Sequence, residues 1–142
     1  MYKRQVQNNG AFTGCVQDNG TAGGGAGFVG PYGIVFNASG SRAYITNYDN
    51  NTVSRCTVQN NGAFTGCVQD NGRASGGAGF DGPGISVFNA SGSRAYIPNV
   101  NNNTVSRCTV RNNGAFTGCV QDAGTAGGGA GFEAPQLGIV LH

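Results

Sequence analysis

The chain reads as an all-β protein made of tandem four-stranded antiparallel units, and three observations point there. The phrase NNGAFTGCVQD stands unchanged at 8–18, 60–70 and 112–122, which sets a repeat of 52 residues, a period that marks repeat architectures. Within one period, short runs rich in β-branched and aromatic residues alternate with Asn, Ser and Gly clusters, the pattern of strands and turns rather than of helices. Glycine supplies 27 of the 142 residues while only 14 are charged. A solvated disordered chain carries far more charge, whereas a turn-rich β protein fits.

The elements of one unit follow in order. GIVF (33–36) is the first strand, ended by Asn37-Ala38-Ser39-Gly40, and RAYIT (42–46) is the second, ended by Asn47-Tyr48-Asp49-Asn50-Asn51. TVSRCTVQ (52–59) and AFTGCVQ (63–69) are the third and fourth, with Asn61-Gly62 between them. Asn-Gly between alternating runs predicts a two-residue type I′ hairpin turn, because both central positions need positive φ. That turn sets Asn60 opposite Ala63, Gln59 opposite Phe64, Val58 opposite Thr65, Thr57 opposite Gly66 and Cys56 opposite Cys67. Cα atoms in such a hydrogen-bonded pair sit about 5.5 Å apart, inside the usual disulfide span of about 4.4 to 6.8 Å. The register predicts bridges from Cys56 to Cys67 and from Cys108 to Cys119. It leaves Cys15 as an unpaired thiol, since the position matching Cys56 is Arg4. Repeated hairpin bridges favour an oxidising, extracellular or cell-surface location.

After each fourth strand comes a glycine-rich stretch: NGTAGGGAGFVGP, NGRASGGAGFDGP or AGTAGGGAGFEAP. It is read as a return loop that crosses about 14 Å, three strand spacings, to begin another unit beside the first. Phe28, Phe80 and Phe132 recur in register and are expected to pin the loop by burial. Glycines let its backbone run close over neighbouring strands.

The segments PYGIVFNASGSRAYITNYDNNTVSRCTV (31–58) and PGISVFNASGSRAYIPNVNNNTVSRCTV (83–110) resemble the YVTN family of β-propeller repeats. Its signature of a Tyr-Val-Thr-Asn strand end and a short loop into Asn-Thr-Val-Ser is matched by Tyr44-Ile45-Thr46-Asn47 and Asn51-Thr52-Val53-Ser54. The second match is Tyr96-Ile97-Pro98-Asn99 and Asn103-Thr104-Val105-Ser106. The resemblance covers just over half of each unit and implies four-stranded propeller-type blades around a central axis, the strand at 33–36 innermost. Pro98 departs from it: lacking an N–H, it is expected to end or bulge the second strand there. The cysteine hairpin and glycine loop exceed the core signature, as in some secreted bacterial members.

On this reading residues 1–30 hold a partial blade (third and fourth strands) with its return loop. Residues 31–82 and 83–134 are complete blades with return loops, and 135–142 is a lone first strand. A closed propeller needs about four to eight blades. Two complete blades and a split one predict open strand edges that a head-to-tail contact would cover, in a ring or in a filament.

The chemistry of the residues is sparse. The eight Lys and Arg are scattered and the net charge is +2, so no basic stripe points to nucleic acid. No apolar run approaches the roughly 18 residues of a membrane span, and MYKRQVQ lacks the apolar core of a signal peptide. His142 is the sole imidazole and no C-x-x-C occurs, which argues against a metal site and against a Ser-His-Asp arrangement. The glycine tracts lack the Lys and Thr of a phosphate loop. Asp18, Asp70 and Asp122 recur after a strand and read as turn caps. Asn37, Asn50, Asn89 and Asn102 satisfy the glycosylation pattern but read as turn formers. The metal-binding acids and histidines of lactonase-like propellers have no counterparts here.

These readings lead to a non-catalytic extracellular scaffold without a cofactor, which displays loops to a protein or glycan ligand and completes itself as a homo-oligomer through its edge strands. A head-to-tail filament protomer and a fragment of a larger lactonase-like propeller are the alternatives. Any surface patch recurs two or three times, as multivalent display would require.

Overall fold

A computed structural model of the chain describes residues 5–6, 10, 12–133 and 135. The predicted C-terminal strand beyond Pro135, with His142, and residues 1–4, 7–9 and 11 of the N-terminal unit lie outside that set.

An N-terminal hairpin pairs β1 (Gln5–Val6) with β2 (Phe12–Thr13). The first blade is an antiparallel sheet in the order β3 (Pro31–Phe36), β4 (Arg42–Asn47), β5 (Thr52–Val58) and β6 (Phe64–Asp70). The second blade repeats it as β7 (Val87–Phe88), β8 (Arg94–Asn99), β9 (Thr104–Val110) and β10 (Phe116–Asp122). Each sheet is a simple meander because every connection within it is a short turn.

The blades stack face to face. Alternation along β4 sends Ala43 and Ile45 into one core, with Cys56 and Cys67. It sends Tyr44 into the other, between the blades, with Val53, Phe80, Ala95, Ile97 and Phe116. Both faces of β4 are therefore covered, one by the second blade and the other by residues of its own sheet together with Phe28 of the return loop. The blades also approach closely near their first strands, where a Cβ on Gly33 would stand 2.8 Å from Cγ1 of Ile85. At the opposite edge the return loop 71–82 lies along β10, with Ala78 N–H donating to the Cys119 carbonyl at 3.4 Å.

Both cysteine pairs are bonded and Cys15 is free and exposed, but the register is reached differently from the predicted one. Gln59 N–H donates to the Ala63 carbonyl at 2.9 Å and Gly62 N–H to the Gln59 carbonyl at 2.8 Å. The turn therefore has three residues, closed by Gly62 at φ +83°, not the two of a type I′ turn. Val58 faces Phe64 and Thr57 faces Thr65, one residue off the prediction, until Gly66 at φ +57° forms a bulge that restores Cys56 to Cys67. The bridged Cα atoms are 4.1 and 4.0 Å apart rather than about 5.5 Å, because after the bulge the cysteines form a non-hydrogen-bonded pair, whose Cα atoms stand about 4.5 Å apart. The Cys67 and Cys119 carbonyls point outward to the return loops.

Two further expectations are corrected. β8 passes through Pro98 without a bulge, pairing it with Val105. The missing N–H points away from β9 toward β7, where the Pro98 carbonyl still accepts Gly84 N–H at 2.8 Å. The penalty falls on the partner: β7 keeps two residues where β3 has six. Of the three loop phenylalanines, Phe80 is 5% exposed, but Phe132 is 38% exposed because no blade follows it among the described residues.

Candidate functional site

The second strand carries the residues that build the seam between blades. Tyr44 stacks on Phe116 with ring centroids 5.4 Å apart and meets Phe88 at 4.7 Å. Its hydroxyl donates to the Gly114 carbonyl at 3.0 Å in a buried bond. Two guanidinium groups flank it: Arg55 Nη1 donates to the Asn113 carbonyl at 2.9 Å and Arg42 Nη1 to that of Asn112 at 3.3 Å. Three consecutive carbonyls of one hairpin turn are thus capped by the preceding blade, through groups that orphan backbone acceptors require. Burial holds the Tyr44 phenol above its ordinary value, against the opposing pull of Arg42 and Arg55.

Asp70 does not cap a turn, as the sequence reading expected. It lies 3.7 Å from Arg55 Nε, with both side chains 18% exposed. Burial raises its carboxyl above the ordinary range, while Arg55 and the Phe116 backbone N–H, hydrogen-bonded to it, pull the other way. The copy of this pair, Arg107 with Asp122 at 3.4 Å, is 40% and 53% exposed because its blade has no described neighbour on that side.

Asn47 and Asn99 are fully buried structural residues that sequence reasoning left as turn letters. Asn47 Nδ2 donates to Thr52 Oγ1 at 3.0 Å and Ser54 Oγ at 2.8 Å, and its Oδ1 accepts Val29 N–H at 3.1 Å. Asn99 repeats the set with Thr104, Ser106 and Asp81 N–H. The recurrence of Asn with Asn-Thr-Val-Ser four residues on was the legible signal.

A groove of about 850 Å³ opens between the blades at the rim formed by loops 37–41 and 89–93. Phe36, Tyr44 and Phe88 give it aromatic walls, and Arg42, Arg111 and Asn112 give it donors and acceptors. Asn37 and Asn89 sit at this rim with their amides donating to Ser41 and Ser93. Asn50 donates to Gln69, and Asn102 is an exposed turn residue whose Oδ1 accepts from Thr104. Among the described residues no three of His, Cys, Asp and Glu converge as a metal-ligating group, and no helix is long and apolar enough to cross a membrane.

No family model matches the chain, and no curated protein matches its sequence. Solved structures do match in fold. A protein of unknown function from Desulfotomaculum acetoxidans aligns with TM-score 0.59 and 20% identity over 94% of this chain and 37% of its own. The periplasmic gluconolactonase of Pseudomonas aeruginosa gives 0.58 and 16% over 81% and 31%. A provisional 6-phosphogluconolactonase from Bacteroides uniformis gives 0.54 and 18% over 81% and 34%. The chain thus spans about a third of the length of the structures it resembles, and at these identities the likeness is one of fold: antiparallel propeller-type blades.

Proposed function

We propose that this chain is a non-catalytic extracellular scaffold of YVTN-type propeller blades, which binds through its rim loops and completes its blade set by homo-oligomerisation. The observation that carries this reading is the unequal fate of one repeated face. Tyr44, Arg55 and Asp70 are covered by a second blade, while Tyr96, Arg107 and Asp122, identical in type and spacing, are not covered to the same degree. A face built to receive a blade, and met by none among the described residues, supports a role in association. The two hairpin disulfides fit an oxidising compartment. The groove, with aromatic walls and amide, hydroxyl and guanidinium groups at its mouth, has the chemistry for a neutral polar ligand such as a glycan. Light scattering on the full chain is the test: discrete oligomers or filaments are expected, and a monomer at all concentrations overturns the assembly part.

A second reading, a segment of a longer lactonase-like propeller, is favoured by the 31–37% of each matched chain that this one spans. Monomeric behaviour together with lactone hydrolysis by a longer chain containing these residues would select it.

A further inference from the structure

The return loops and fourth strands meet in a pattern offset by one. Loop 19–30 lies on β6: Gly66 N–H donates to the Ala22 carbonyl at 2.9 Å, Ala26 N–H to that of Cys67 at 3.2 Å, and Gln69 Nε2 to that of Gly27 at 2.8 Å. Loop 71–82 lies on β10 in the same register. There Gln121 Nε2 donates to the Gly79 carbonyl at 2.8 Å and Thr117 Oγ1 to Ser75 Oγ at 2.9 Å. Three copies of the loop and three of the strand therefore yield two contacts among the described residues.

The unmatched partners are both preformed. Loop 123–133 carries the same 3-10 turn as its sister, Ala126–Gly128 beside Ala74–Gly76, with Gly127 at φ +67° where Ser75 has +56°. Phe132 N–H closes it onto the Ala123 carbonyl at 3.1 Å, as Phe80 does onto Asn71 at 3.0 Å. Yet Phe132 is exposed where Phe80 is buried. At the other end, residues 12–17 keep the fourth-strand sequence, with Gly14 at φ +61° where Gly66 has +57°. Cys15 is exposed where Cys67 and Cys119 are buried beneath a loop. Gly10 is open in the same way. Of its two equivalents, Gly114, which faces the second strand of the preceding blade, is crowded by Tyr44, Arg42 and Arg55, whereas nothing lies within 4 Å of a Cβ at Gly62 or at Gly10, neither of which meets such a strand among the described residues.

We infer that loop 123–133 of one molecule docks across residues 12–17 of a second copy, in the register seen twice within the chain. Ala130 N–H then donates to the Cys15 carbonyl and the Gln17 side chain to the Gly131 carbonyl, while Tyr96 caps the Gly10 carbonyl as Tyr44 caps Gly114. Loop and strand belong to opposite ends, so the contact is head to tail and propagates. Because the loop already holds its docked shape, little ordering opposes binding. The inference rests on the homo-oligomer reading and adds its interface and register.

The test pairs Thr13→Cys with Gly127→Cys in a Cys15→Ser background, positions equivalent to the Thr117 and Ser75 hydroxyls 2.9 Å apart. Mild oxidation is expected to give a ladder of cross-linked species on a non-reducing gel, abolished by reductant, whereas either single variant stops at dimer. Phe132→Ala, at a site exposed in the isolated chain, is expected to weaken self-association tenfold or more with the unfolding midpoint unchanged. Oligomers without the ladder, and with Phe132→Ala silent, overturn this register but leave homo-oligomerisation standing. A monomer with neither effect overturns both, and assigns the loop to a further repeat of a longer chain.

Discussion

At the residue scale, buried polar groups do the specifying. Asn47 satisfies two hydroxyls and one backbone N–H at once, so Asn47→Ala leaves buried groups without partners and should lower stability by about 2 to 3 kcal/mol. Urea unfolding checks this, and a change under 0.5 kcal/mol would refute the clamp. Asp70 gives a pH signature. Its folded value lies above its unfolded one, so over that interval the folded state holds more protons than the unfolded chain. Stability attributable to it is full below the ordinary aspartate range, falls as pH rises through the raised value, and is level above. The difference in unfolding midpoint between the native chain and Asp70→Asn should therefore fall with rising pH across that window; a rise would contradict it. Asp70 also marks what was illegible in sequence. A carboxylate after a strand looks like a turn cap, and only the neighbouring blade turns it into half of a shielded ion pair.

At the element scale the cysteine hairpin shows two glycine devices that offset each other. The three-residue turn slips the register by one, and the bulge at Gly66 slips it back. Gly66→Ala places a Cβ on a residue at φ +57° in open space, a backbone penalty of about 1 kcal/mol. Gly114→Ala should be markedly worse than Gly62→Ala although both sit at φ +83°, because the added carbon would meet Tyr44 Oη at 2.6 Å only in the second blade. Thermal unfolding of the pair separates backbone strain, common to both, from inter-blade contact, present in one. Equal losses would show that the turn carbonyls do not anchor the seam. Reduction should lower stability by about 2 to 3 kcal/mol per bridge through unfolded-state entropy, read from urea midpoints with and without dithiothreitol. The cysteine partners were legible from spacing, but the path to them was not. A two-residue turn followed by a regular ladder and a three-residue turn followed by a bulge bring the same two residues together.

At the scale of the whole molecule, repetition gives the blades one interface used over and over. Tyr44 and Tyr96 occupy equivalent positions, but only Tyr44 donates a buried bond to a described neighbour. Tyr44→Phe should therefore cost about 1 to 2 kcal/mol of folding stability by orphaning the Gly114 carbonyl. Tyr96→Phe should leave the folding of the isolated chain within 0.5 kcal/mol and raise the dissociation constant of its assemblies several-fold. Denaturation and concentration-dependent light scattering read the two effects separately, and equal folding losses would show that the two tyrosines share one environment. The sequence by itself determined the 52-residue period, the four strands of each blade and the cysteine partners, since these follow from local alternation, turn letters and counting. Tertiary structure alone decided that the glycine loop rides on the fourth strand of the following blade, that the scattered Arg42 and Arg55 converge on one turn, and that Pro98 shortens β7 rather than β8. Each of these depends on which sheet faces which, and contacts between blades leave no mark on the alternation within one.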